Sequence, residues 1–441
     1  MFTNKQLKAL ILPLIIEQFL GVLVGTMDVI MVSQVGEYAT SGVSLVDTIT
    51  NLLVQAFAAL ATGGSVIAAN YIGKRRPQEA SDAAGQLFVS TGVIGIVLMV
   101  ICLVGRGFMI DKIYGSIDAD VRESAMIYFL ITCISYPFLA IYSAGAALCR
   151  AEGNSKVTMK VSVVVNIINV SGNALLILVL HMGTAGVAIP TLVSRMFGAA
   201  AMFYVMRKQD HPIHFHEKLH YRFNWPMIKK ILRIGIPTGL DGSVFQIGKL
   251  VLGSLISTLG TAAIAANAVT NTLAGLVMIP GSAMGLSLIT IVGQCIGAGK
   301  TDEAVSYTKK VMKWIHLCLL GMSLVIGLGS PLILRLYNLS DETFRLAQML
   351  IIVYCIIAVI DWPESFALPN ALRAGGDATF IMIVSMSSMW LFRIACAYLF
   401  VKVFNWGLNG IWIAMYVDWL VRAAAFFLRF RSRKWIRLLK N

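Results

Sequence analysis

Glu17 and Asp28 are acids in a place where acids are costly. Both lie in a run from Leu10 to Met31 that is otherwise apolar apart from Gln18 and Thr26. As a helix the run is about 33 Å long, which matches a bilayer hydrocarbon core. An ionised carboxylate deep in a bilayer costs roughly 2.5–3.5 kcal/mol on insertion scales, so a chain that keeps one gives it a partner or a task. The task open to such acids is binding a proton or another cation. The structural alternative is an ion pair, or a protonated acid that glues one helix to the next. At helical spacing Glu17, Gly21, Gly25 and Asp28 share one face, where the glycines let a neighbouring backbone come close. The two acids are about 16 Å apart along the axis, so they read as two stations rather than one shared site.

Other polar residues inside apolar runs fall into stripes. Asp47, Asn51 and Gln55 share a face of the second run, and Ser162, Asn166, Asn169 and Asn173 share a face of the fifth. In the second half Asn267 and Asn271 share a face, and Asp241 lies near the middle of its run. Interhelical hydrogen bonding is the plainer reading of each stripe, and cavity lining is the functional one. Four basic residues also sit inside runs: Arg195, Lys249, Arg393 and Arg422. Asp418 and Arg422, four apart, are expected to form a structural pair. Lys249 lies two turns beyond Asp241 on the same face and is expected to neutralise it.

The elements that must position these residues are set by composition. Of 441 residues 58% are hydrophobic and only 13% charged, against roughly 25% charged in soluble domains. The mean hydropathy is +0.78. This is an integral membrane protein, all-α, with twelve spans near 8–33, 43–69, 83–105, 123–147, 157–180, 185–206, 231–257, 266–292, 311–334, 346–369, 380–403 and 408–428. The net charge of +14 resides largely in loops, which speaks for membrane topology and against a nucleic-acid partner. Loops on the side of the N-terminus carry Lys74, Arg75, Arg76, Arg150, Lys156, Arg207, Lys208, Lys229, Lys230, Lys300, Lys309, Lys310 and the tail from Arg429 to Lys440. The opposite loops carry far fewer, so both termini are expected in the cytoplasm, with the chain in the cell membrane. The seven cysteines lack paired spacing, and no disulfide framework or zinc site is implied.

The chain repeats itself. A shift of 224 places Pro13 on Pro237, Glu17 on Asp241, Gly36 on Gly260, Gly73 on Gly297 and Glu79 on Glu303. A shift of 223 places Arg150, Ala151 and Gly153 on Arg373, Ala374 and Gly376. The expected organisation is an N-terminal six-helix half over 1–206, a cytoplasmic linker over 207–227 and a C-terminal six-helix half over 228–441. An even helix number gives both halves the same orientation, related by an axis along the membrane normal, with a cavity between them. Arg150 and Arg373, beside glycines suited to tight turns, are expected to serve the structure of two equivalent loops.

These residues resemble the multidrug and toxic compound extrusion (MATE) family over nearly the whole chain. The resemblance rests on the pairs Pro13/Glu17 and Pro237/Asp241, on Asp28 ahead of Gly36, on the loops around Gly73 and Gly297, and on the twin loops Leu148 to Asn154 and Leu372 to Asp377. It implies a secondary antiporter that exports organic cations, drugs or other amphipathic compounds against inward protons or sodium, with no cofactor. In the family a pair of Asn or Asp residues on the fifth span joins the first-span acid in an N-half cation site, and Asn169 and Asn173 match that spacing. Glu17, Asp28, Asn169 and Asn173 are therefore the expected coupling residues. Asp47, Asn51, Gln55, Asp241, Asn267, Asn271, Asp361 and Glu364 are secondary cavity candidates. Relatives with a sodium-linked C-half site have acids on the seventh and tenth spans. Here Phe245 stands at the first of those positions, and neither Asp361 nor Glu364 falls cleanly in register at the second. The coupling ion is accordingly placed in the first half, and the protein is expected to act as a monomer.

Other motifs fail on detail. Gln294 to Thr301 resembles a phosphate loop, but its first glycine comes one place early, at Gly293, and it reads as a cytoplasmic turn. Ala374 to Asp377 misses the intramembrane aspartyl protease motif by its first glycine. His211, His214, His216 and His220 crowd the linker, yet Pro212 and uneven spacing favour a solvated loop over a metal site. No histidine stands beside a carboxylate or nucleophile in catalytic spacing, so an enzyme is not expected. The alternative transport reading is a flippase for lipid-linked oligosaccharides or lipids, which shares the wider superfamily fold. It calls for a markedly cationic central cavity, and the few intramembrane cations argue against it.

Overall fold

A computed structural model of the chain describes residues 1–115, 118–208, 212–214, 223–337 and 339–437. His211, His216, His220 and most of the linker lie outside the described residues. Fifteen α-helices carry the rest, with no strand among the described residues. They are α1 (Asn4–Ser33), α2 (Glu37–Gly73), α3 (Pro77–Tyr114), α4 (Ala119–Ile134), α5 (Tyr136–Ala151), α6 (Ser155–Asn173), α7 (Ala185–Arg207), α8 (Trp225–Ser257), α9 (Thr261–Gly297), α10 (Thr301–Arg335), α11 (Asp341–Trp362), α12 (Leu368–Ala374), α13 (Ala378–Ser388), α14 (Ala395–Lys402) and α15 (Gly407–Arg431). Wide helical turns with i→i+5 bonding occupy Ala174–Val179, Pro363–Ala367 and Met389–Ile394, joining α6 to its end, α11 to α12 and α13 to α14.

Ten helices or continuous helical segments among the described residues are long and apolar enough to cross a bilayer, and the bent pair α4 and α5 makes eleven. The twelfth crossing is the 33-residue α8, whose Asp241, Gln246 and Lys249 dilute its apolar character. The span expected as one run over 123–147 is broken: α4 and α5 meet at 48° around Ser135. Pro137, in the first turn of α5, is the cause, because proline lacks an N–H and its ring collides with the carbonyl four residues back. Pro363 and Pro369 similarly mark the two ends of the wide turn between α11 and α12. Long apolar side chains face outward, Val104 at 84% exposure and Leu328 at 80% among them, as suits a surface solvated by lipid chains.

The chain forms two compact units, Phe2–Gly239 and Leu240–Asn441 with Met1. In the first, α1 packs on α6, α2 on α3, α4 and α5, and α7 on α5 and α6. Small residues allow these approaches. A Cβ on Gly172 of α6 would stand 2.8 Å from the Pro190 ring of α7, so only glycine lets the two helices come this close. In the second unit α9 packs on α10, α11 and α12, and α14 on α15.

The repeat is visible in how helices end. Gly153 N–H donates to the Arg150 carbonyl at 2.8 Å and Asn154 N–H to the Cys149 carbonyl at 2.9 Å. Gly376 donates to Arg373 at 2.8 Å and Asp377 to Leu372 at 3.1 Å. Both turns are Schellman caps, and their glycines sit at φ +89° and +90°, where a side chain is strained. Gln294 to Thr301, which misses the phosphate-loop pattern, forms the end of α9 and the turn into α10.

Candidate functional site

Asp28 is gathered into a polar cluster. Asn173 Nδ2 donates to Asp28 Oδ1 at 2.7 Å and contacts Asn169 Oδ1 at 3.4 Å, while Asn169 Nδ2 donates to Thr191 Oγ1 at 3.2 Å. Asn173 is the last residue of α6 before the wide turn at Ala174–Val179. Such turns inside helices are frequent at functional sites, where the extra residue per turn re-aims the side chains around it. The close Gly172–Pro190 approach brings α7 up to α6, so that Thr191 reaches Asn169. Asn169 and Asn173 are 6% and 1% exposed, and Asn173 Oδ1 is buried without a hydrogen-bond partner among the described residues. An unsatisfied amide oxygen beside a carboxylate is an acceptor set suited to a proton or a small hard cation.

Asp28, Asn169 and Thr191 line a cavity of about 580 Å³ together with Asp47, Asn51, Tyr128, Asn166 and Arg195, while Asn173 holds Asp28 from outside that lining. Tyr128 O–H donates to Asp47 Oδ1 at 3.2 Å. Arg195 Nη1 donates to Ser135 Oγ at 2.7 Å, so the break between α4 and α5 holds the cavity's cation. Gln55, on the Asp47 face by spacing, is exposed and lies outside this lining.

Glu17 is elsewhere. Its Oε1 is 3.3 Å from Arg150 Nη1, and its Oε2 accepts from Thr158 Oγ1 at 3.0 Å. The second unit repeats the motif: Arg373 Nη2 donates to Asp241 Oδ2 at 2.7 Å, and Arg373 Nη1 to Asn370 Oδ1 at 3.0 Å. The cation on Asp241 is thus Arg373 and not Lys249, which corrects the expectation from spacing. The eight residues from Asp241 to Lys249 rise about 12 Å along the helix, whereas Arg373 approaches from α12. Arg150 and Arg373 also cap turns, but each carries its guanidinium to a carboxylate on another helix.

A second cavity of about 530 Å³ lies within the Leu240–Asn441 unit. Asn267 and Asn271 line it, with Asn267 Oδ1 accepting from Trp412 Nε1 at 3.2 Å. Asn271 Nδ2 donates to the Asn267 carbonyl of its own helix at 2.9 Å. Asp241, Asp361 and Glu364 lie outside that lining. Glu364 Oε1 is 3.4 Å from His316 Nε2, a pairing that sequence spacing could not find because α10 carries the histidine. Asp418 and Arg422 pair at 3.0 Å, as four-residue spacing expects.

Comparison with known proteins places this geometry. The family model described as MatE matches residues 13–175 and 237–399. The starts, 237 less 13, and the ends, 399 less 175, both differ by 224, the shift read from the sequence. The uncharacterized transporter YisQ of Bacillus subtilis is 27% identical over 433 residues, covering 96% of this chain and 93% of its own length. The probable multidrug resistance protein NorM of Thermotoga maritima is 25% identical, covering 98% and 93%. Among solved structures, an outward-facing multidrug resistance MATE family transporter of the MOP superfamily superposes with a TM-score of 0.91 at 21% identity, covering 97% of this chain and 95% of its own.

Proposed function

The chain belongs to the MatE family of multi-pass membrane transporters, and from that premise we propose that it is a secondary antiporter of the cell membrane. It is a transporter and not an enzyme. Its proposed cargo is organic cations, drugs or other amphipathic compounds, exported in exchange for protons or sodium, by a monomer with both termini in the cytoplasm. No cofactor and no nucleic acid enter the cycle.

The observation that carries this reading is the Asp28–Asn173 hydrogen bond at 2.7 Å beside a buried, unpartnered amide oxygen. A proton or cation arriving at Asp28 removes its negative charge, weakens the Asn173 contact and changes what the cavity attracts. An organic cation held by Asp28 and Asp47 is then released as the driving ion takes its place. The proposed role of Glu17 is a second station on α1, tied through Arg150 to the turn after α5. Changes at Asp28 are thereby linked along one helix to the cytoplasmic end of the unit. The proposed domain division follows the repeat, 1–206 and 228–441 with the linker 207–227 between them.

Dye efflux in everted vesicles, with a proton gradient and a sodium gradient imposed separately, tests the reading. One gradient alone is expected to drive export. Export that depends on neither gradient contradicts antiport.

A further inference from the structure

The cavity of the Leu240–Asn441 unit has the opposite polarity to the one that holds Asp28. Its lining contains Lys249 and Arg393 and no carboxylate. The repeat makes the inversion explicit: at the shift of 224, Gly25 becomes Lys249, Asp28 becomes Leu252, Asp47 becomes Asn271 and Asn169 becomes Arg393. Two acids have gone and two bases have come, at equivalent places.

The cations are held in a built setting. Lys249 Nζ and Arg393 Cζ both lie 5.4 Å from the Phe245 ring centroid, so the two share one aromatic ring. Arg393 stands in the wide turn Met389–Ile394, which aims it inward from α13 and α14. It is 7% exposed; its Nη1 faces Asp418 Oδ2 in an ion pair at 3.5 Å, while its Nε is buried without a hydrogen-bond partner among the described residues. That carboxylate is shared: Asp418 Oδ1 accepts from Arg422 at 3.0 Å and from Ser388, leaving Oδ2 to Arg393. One carboxylate therefore stands against three cations, and no carboxylate pairs with Lys249 among the described residues. A buried guanidinium N–H without an acceptor, next to excess positive charge, calls for an anion. Around them lie Trp362, Phe366, Trp412 and Trp419, faces suited to a flat apolar body. The volume of about 530 Å³ fits a small molecule.

We propose that this cavity binds an amphipathic aromatic anion, its sulfonate or carboxylate between Lys249 and Arg393 and its ring system among Phe245, Trp362 and Trp412. The site is separate from the Asp28 cavity and does not depend on how coupling is assigned there.

The test is equilibrium binding of radiolabelled naphthalene-2-sulfonate to the full-length protein in zwitterionic nanodiscs, with empty nanodiscs subtracted. A naphthyl trimethylammonium ion of the same ring serves as the matched cation. The sulfonate is expected to bind saturably and the matched cation to leave it undisplaced. Lys249→Met is expected to weaken binding by about tenfold or more, the loss of one charge-assisted contact. Lys249→Arg restores it, and Lys402→Met, which removes the same charge at the exposed end of α14, leaves it unchanged. Equal affinity for Lys249→Met and wild type overturns the proposal, as does displacement by the matched cation. Loss of sulfonate binding on adding anionic phospholipid to the nanodiscs also overturns it, because the site then reads a lipid headgroup.

Discussion

Arg150 reaches back across 133 positions of the chain to place Nη1 3.3 Å from Oε1 of Glu17. The same link recurs where Arg373 meets Asp241 at 2.7 Å. In both units an arginine from the last turn before a Schellman cap crosses to the acid that follows a helix proline by four residues. The pair therefore belongs to the repeating unit and ties the first helix of each repeat to a tight turn.

That tie has a measurable energy. Arg150→Ala leaves Glu17, whose side chain is only 12% exposed, without its charged partner, and is expected to destabilise the protein by about 1–3 kcal/mol. The double variant Glu17→Gln with Arg150→Ala is expected to cost less than the sum of the two single changes. Thermal unfolding of the four proteins in one detergent checks this, and strict additivity contradicts a coupled pair.

The linker is fastened by Glu152, whose Oε1 accepts from Ile213 N–H at 2.9 Å in the turn after α5. Burial pushes the Glu152 carboxyl up to about 8 from its ordinary 4.5. The folded state thus holds a proton that the unfolded state gives up, so the contribution of Glu152 to stability is greatest below pH 4.5 and falls as pH rises to about 8. Glu152→Gln removes that dependence. Its melting temperature minus that of wild type is expected to rise between those two pH values and level off above. A difference that stays flat across the range contradicts the assignment.

Topology is open to direct labelling. In a cysteine-free background, a cysteine at Asp120 is expected to react with an impermeant maleimide in intact cells, and one at Lys300 only after lysis. Labelling of Lys300→Cys in intact cells reverses the proposed orientation.

Much of this was legible in the sequence, because membrane helices write their length in apolar runs and the repeat writes itself in Pro13/Pro237 and Arg150/Arg373. The Asp28–Asn173 meeting was legible only through family resemblance, since no spacing rule joins residues 145 positions apart. The break at Ser135 was missed because hydropathy is blind to it, although Pro137 was there to be read. Pro363 and Pro369 likewise flank the wide turn after Trp362, which carries Phe366, whereas the wide turns after Asn173 and Ser388, the latter aiming Arg393, left no comparable mark. Asp241 was assigned to the wrong partner because helical spacing sees one helix, whereas Arg373 reaches it from α12; the Phe245 ring beneath Lys249, four residues back on the same helix, was within reach of that spacing.

The central claim is that Asp28 carries the coupling ion. Efflux from everted vesicles under the effective gradient should vanish in Asp28→Asn, with expression and thermal stability kept, and should persist at reduced rate in Asp241→Asn. Gradient-driven efflux that survives Asp28→Asn and disappears in Asp241→Asn places the coupling acid in the second unit and contradicts the account.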